Sequence, residues 1–174
     1  MFDLDEMISG YPVCQYEILD VSDIPFSEKV RYICRTECER YGKSWSCPPA
    51  VGDVDECRRR CLEFQKVLVF TTMAEVSDAS IMEETLKTRQ EHEEITRALC
   101  TEFKKHDMEC MPLSSESCQK CEVCAYPNAC RHPEEMIPCV ESFGILVTEI
   151  AEKCKIDFYC DNHTVTWFGL IFFA

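Results

Sequence analysis

Lys66-Val-Leu-Val-Phe-Thr-Thr-Met73 is short and nearly all apolar, the pattern of a strand buried on both of its faces. Such a strand needs packed elements above and below it, and the flanking sequence supplies them. Just upstream, Asp53 stands where it can cap a helix reaching to about residue 65, in which Val54, Cys57, Cys61 and Phe64 share one face. Residues 41–52 hold glycine, two prolines and two serines and read as a loop. Residues 27–41 read as a helix with Ser27 as N-cap, and residues 13–21, with Val13, Tyr16 and Ile18 among polar neighbours, as a strand.

Downstream, residues 80–105 are rich in Glu, Lys and Arg with sparse apolar positions, which predicts a long, largely solvated helix. Residues 108–113 form a further expected strand. Residues 118–133 are too dense in Cys and Pro for either regular element. A helix is expected over 138–154, then two strands, 156–160 and 164–173, joined as a hairpin by Asp161-Asn-His163. The expected fold is α+β: one domain over residues 1–174, with a single mixed sheet, helices packed on it, and two cysteine-rich loops hung from its edge.

Charge narrows the partners. With 18 Lys+Arg against 32 Asp+Glu the net charge is -14, which repels nucleic acid and anionic membranes. The longest apolar run, residues 165–174, is half of the ~20 residues a bilayer helix requires, so no membrane span is expected. The N-terminus, Met1-Phe-Asp-Leu-Asp-Glu6, is acidic and lacks the basic and apolar regions of a secretory signal, which favours a cytoplasmic protein.

Fifteen cysteines in 174 residues would signal a disulfide scaffold in a short secreted chain. Here they come in tight local groups and their number is odd, which suits thiolate–metal chemistry better. The strongest group is Cys118-Gln-Lys-Cys121-Glu-Val-Cys124, completed five residues later by Cys130-Arg-His-Pro133. Three cysteines at two-residue spacing wrap a loop whose thiolates converge on one face of a cubane, the ferredoxin pattern. Structural zinc is the competitor, but it takes two C-x2-C pairs held well apart. An earlier group offers Cys34, Cys38 and Cys47, the last directly before two prolines, with Cys57 or Cys61 as fourth. Cys57 and Cys61 also suit plain core packing, because Val54 and Phe64 share their stripe. Cys14, Cys100, Cys110, Cys139, Cys154 and Cys160 fall on apolar faces or in strands and read as structural thiols.

Taken together, Cys34-x3-Cys38, Tyr41-Gly-Lys-Ser-Trp-Ser-Cys47-Pro-Pro49 and Cys118-x2-Cys121-x2-Cys124-x5-Cys130-x2-Pro133 resemble a prokaryotic family described as predicted cysteine-rich metal-binding proteins, a domain of unknown function. The resemblance spans most of the chain and implies a bound metal and a cytoplasmic, often anaerobic, setting. It adds Cys34, Cys38 and Cys47 to the ligand candidates. Where such sequences tend to show Ser, this one has Cys139 after Pro138, a further candidate.

Other chemistry finds little support. The four histidines form no His-x-x-x-His pair, and no phosphate-cradling Gly-rich loop, Gly-x-Ser-x-Gly or C-x3-C-x2-C triplet is present. The expectation is an iron–sulfur protein working in one-electron transfer with a redox protein partner. Its cofactor would be [4Fe-4S], in one or two copies, bound by Cys118, Cys121, Cys124 and Cys130, with a second site from Cys34, Cys38, Cys47 and Cys57. The alternatives are a structural zinc-binding interaction module, or a cluster-dependent enzyme or metal carrier.

Overall fold

The computed structural model describes residues 3–157 and 161–174. Its helices are α1 (Leu4–Ser9), α2 (Glu28–Glu37), α3 (Val54–Cys61), α4 (Met82–Lys105) and α5 (Val147–Cys154). Its strands are β1 (Gln15–Asp20), β2 (Lys66–Glu75), β3 (Cys110–Ser114) and β4 (Thr164–Phe173), and the fold is α+β, with these strands of the described residues forming one sheet in the order β1-β2-β4-β3. All three strand pairings are antiparallel, and an isolated parallel bridge joins Ser114 to Cys139.

β2 lies inside the sheet with both faces covered, as its sequence requires. Val67 and Val69 point into a core shared with Cys57 and Cys61 of α3, Phe143, and Ile150 and Cys154 of α5. Leu68 and Phe70 point the other way, onto Ile95, Leu99 and Phe103 of α4 and Ile8 of α1. Each fully buried side chain of this kind contributes about 1.5–3 kcal/mol. Gly169 of β4 lies opposite Phe70. A Cβ there would come within 2.3 Å of the Phe70 ring, so the large ring and the absent side chain fit as a pair.

Local signals hold where the sequence offers a cap. Asp53 accepts from the Glu56 N–H at 2.7 Å and Glu56 returns a bond from the Asp53 N–H at 2.8 Å, a complete capping box on α3. Ser27 accepts from the Lys29 N–H at 3.2 Å at the start of α2, which stops at Glu37 and not at residue 41.

Three expectations need correction. Residues 138–154 are not one helix. The Ser114 N–H donates to Pro138 O and the Val140 N–H to Ser114 O, both at 2.9 Å, so this segment is held straight beside the end of β3. A single 3-10 turn, Glu141–Phe143, follows, and Gly144 at φ 77° breaks the path before α5 begins. Second, α4 is not largely solvated: Arg89, His92, Glu93 and Thr96 are all buried. Glu93 faces the cysteine loop, where it accepts from the Gln119 N–H, while Glu83, Lys87, Glu91, Glu94, Lys104 and Lys105 stay exposed on the other side. Third, β4 pairs with β2 and β3. The expected strand over 156–160 falls partly on residues 158–160, outside those described, and Ile156 and Asp157 carry no regular structure.

His92 fixes α4 to the sheet. Its Nε2–H donates to Phe168 O at 3.0 Å, which leaves Nδ1 to accept from the Thr72 hydroxyl at 2.8 Å, and the ring stacks on Phe70. Burial lowers its pKa to about 4, so the imidazole is neutral at physiological pH.

Candidate metal centre

The bridge between Ser114 and residues 138–140 closes the base of an excursion that contains the strongest cysteine motif. Within it, Cys118, Cys121, Cys124 and Cys130 all line one small pocket, whose far wall is Ser44 and Trp45 of the loop after α2. Each of the four thiols is half-buried.

Little apolar burial holds this loop; polar anchors do. The Cys118 N–H donates to Ser46 Oγ at 2.8 Å. The Gln119 N–H donates to both carboxylate oxygens of Glu93, at 3.0 and 3.1 Å. Glu93 is itself buried and paired with Arg97 at 2.8 Å, and Arg97 Nη2 stands 4.0 Å from Cys118 Sγ. A buried carboxylate is stable only with such partners. On the outer side the Trp45 indole N–H donates to Asn128 O at 2.8 Å while its ring meets Tyr126 edge-on at 5.1 Å. Arg131 bonds Val123 O, and Lys120 pairs with Glu135.

The thiols are tuned differently. Burial pushes the Cys118 thiol up, only partly opposed by the Lys120 N–H. Burial acts the same way on Cys124, but the Tyr126 and Trp45 N–H groups, the Ser44 hydroxyl and Arg131 together outweigh it and hold that thiol below its ordinary value. A thiolate is the form that ligates metal. Among the described residues, no three Cys, His, Asp or Glu side chains are gathered closely enough to hold a single ion. The four thiols frame a pocket and do not meet at one point.

A second group of thiols is assembled from three separate segments. Cys34 of α2, Cys38 just beyond its end, Cys47 of the loop and Cys139 of the straightened segment line a half-open pocket of about 270 Å³. Cys47 and Cys139 are buried, Cys34 is half-buried and Cys38 is exposed. The Cys139 thiol donates to Glu141 Oε2 at 2.9 Å. Burial pushes Cys47 up to about 11, and Cys38 and Cys34 add to the shift, so these three thiols lie within electrostatic reach of one another. Burial also pushes up Cys139, with Glu141 and Cys47 acting in the same sense.

Cys57 does not join this pocket. It is completely buried in the core under the sheet, where its thiol donates to Val51 O at 3.5 Å and Arg31 Nη2 lies 3.7 Å away. Cys61 is equally buried beside it. Cys139 takes the position in the pocket that the helical reading of 138–154 concealed; the signal available was its place after Pro138. His132 is exposed at the rim of the first pocket, 3.7 Å from Glu135.

The two pockets share a partition. Ser44 and Trp45 face the first and Cys47 the second; likewise Cys118 faces the first and Ser117 the second. Ser46 sits between them, its hydroxyl accepting from Cys118 N–H and its carbonyl accepting from Cys139 N–H at 3.0 Å. A larger concavity, about 690 Å³, lies elsewhere, between α2 and residues 49–56, and no thiol lines it.

Comparison with known proteins agrees with this concentration of thiols. Residues 17–173 match the model of a family described as "Predicted metal-binding protein (DUF2284)". No curated protein and no solved structure matches the chain.

Proposed function

The chain belongs to that family of predicted metal-binding proteins, and from this premise we propose that it holds an iron–sulfur cluster of the [4Fe-4S] type on Cys118, Cys121, Cys124 and Cys130 and works in one-electron transfer. The observation that carries the reading is that four cysteines of one short loop, three at two-residue spacing, frame a common pocket. Cubane clusters are held by four such thiolates, and the C-x2-C-x2-C run is the bacterial ferredoxin spacing. When bound, the cluster supplies a centre that takes up and releases single electrons.

The chain's own groups suit that role. Half-exposed cysteines keep the site near the surface, within reach of a redox protein partner. Trp45 lines the pocket and is held by its edge-on contact with Tyr126. Backbone N–H groups and Arg131 act on Cys124 in the direction that favours its thiolate. The described cysteines are free thiols, as suits the reducing conditions of the cytoplasm, where we place the protein. No helix among the described residues is long and apolar enough to cross a membrane.

Protein purified without oxygen is expected to be brown, with iron and acid-labile sulfide in equal amounts. Dithionite should produce a paramagnetic reduced state, seen by low-temperature electron paramagnetic resonance, that reoxidises without iron loss. Stoichiometric zinc with no sulfide would replace this reading with that of a structural zinc module. A cluster that breaks down on its first reduction would point to a carrier.

A further inference from the structure

Arg89 presents the least expected chemistry in the fold. It is fully buried, its exposure being 0%, and none of its three guanidinium nitrogens has a hydrogen-bond partner. A guanidinium stays charged at any physiological pH and carries five donors. Burying it unpaired costs several kcal/mol, so a fold that keeps it there implies a missing anion. The ionisable groups acting on it are Glu93, Glu116, Arg40 and Cys139. Glu93 is already engaged with Arg97 and the Gln119 N–H. Glu116, Arg40 and Cys139 all line the second cysteine pocket.

From this juxtaposition we infer that Cys34, Cys38, Cys47 and Cys139 bind a second iron–sulfur cluster, with Arg89 as its buried counter-ion. Four thiolates around iron and sulfide carry net negative charge, which answers a buried, unpartnered cation that Glu116 and Cys139 of this pocket already act on. The pocket, about 270 Å³, opens to solvent on the side of exposed Cys38 and is enclosed on the side of Cys47 and Cys139. Cys57 is excluded from the ligand set by its place in the core. The inference extends the proposed function from one cluster to two but does not depend on the first loop being filled.

Metal analysis on the full chain, purified anaerobically, separates the two sites. The double variant Cys121→Ser/Cys124→Ser empties the first loop and should retain about half of the wild-type iron and sulfide. Cys34→Ser/Cys139→Ser should lose the other half, and Cys57→Ser should lose none. Iron that disappears entirely from the first double variant and is untouched in the second overturns this inference and leaves the first-loop reading standing. The opposite pattern upholds the second site and overturns the first. Zinc without sulfide in the first double variant overturns the assignment of a cluster. The counter-ion role has its own readout: in that same variant, Arg89→Gln should lower the reduction potential, because a cation that favours the added electron is gone, while Arg89→Lys should restore most of it. Equal potentials in the Gln and Lys variants, with unchanged circular dichroism, overturn the role given to Arg89.

Discussion

The two cysteine pockets reach similar thiol content by opposite routes. The first is local: thirteen consecutive residues, 118–130, carry all four thiols, and the rest of the protein contributes anchors to their backbone. The second is tertiary: one thiol comes from a helix, one from its end, one from a loop, and one from a segment roughly ninety residues further on. Local assembly leaves half-exposed thiols on a loop with few apolar contacts, whereas tertiary assembly buries Cys47 and Cys139 in the structure itself. The proposed reading therefore makes the first pocket the one that a bound metal would order, whereas the second is ordered by the fold.

The largest effect should come from breaking the local pocket. Cys121→Ser or Cys124→Ser is expected to abolish metal binding by that loop and leave residues 118–136 open to limited proteolysis, because there the ligands outnumber the apolar contacts. Cleavage no faster than in wild type would mean that the loop is ordered without metal, and the contrast between the pockets would fall.

Next in size, Glu93→Ala removes the acceptor of the Gln119 N–H and the partner of Arg97. Anchors of this kind are worth about 10–100-fold in metal affinity. Competition with a chelator should show that loss in a protein whose second pocket is emptied by Cys34→Ser/Cys139→Ser, and little change where the first is emptied instead.

Acid tests how α4, which carries Arg89 and Glu93, is seated on the sheet. His92 is neutral in the fold, with its pKa lowered to about 4 by burial, against about 6.5 in an unfolded chain. The unfolded state binds the extra proton first as pH falls below 6.5, so stability drops between there and pH 4 by on the order of 3 kcal/mol and levels off below. Urea titrations of metal-free protein should show this slope, and His92→Gln should flatten it.

Smallest is the effect on the thiols that belong to neither pocket. Cys61→Ala leaves a small void in the core and should cost about 1–2 kcal/mol in denaturant titration with metal content unchanged. Loss of metal in that variant would erase the line drawn between ligand and core cysteines.

What could be read in the sequence follows the same division between local and tertiary. The run 66–73, the Asp53 cap and the spacing of Cys118, Cys121 and Cys124 are all decided by neighbours in the chain, and the structure has β2, the capping box and a common pocket at those places. Arg89 and Glu93 look like solvated helix charges because nothing nearby announces that the excursion over residues 114–140 will meet them. Cys139 looks like a helical core residue because the bonds that straighten it come from Ser114 and Ser46, 25 and 93 positions earlier. The spacing of Arg89, Glu93 and Arg97, four residues apart on one helix face, was the available signal that these charges act together.

That spacing makes α4 a ruler. Four residues advance a helix by roughly 6 Å, so the buried Arg89 guanidinium and the Glu93 carboxylate that anchors the first loop are set apart by helix pitch, about one turn, with no loop in between to absorb error. An added residue between Arg89 and Glu93 would swing one of them about 100° around the axis. Loop lengths around the cysteines can drift without harm to this spacing; the length of α4 between those two residues cannot.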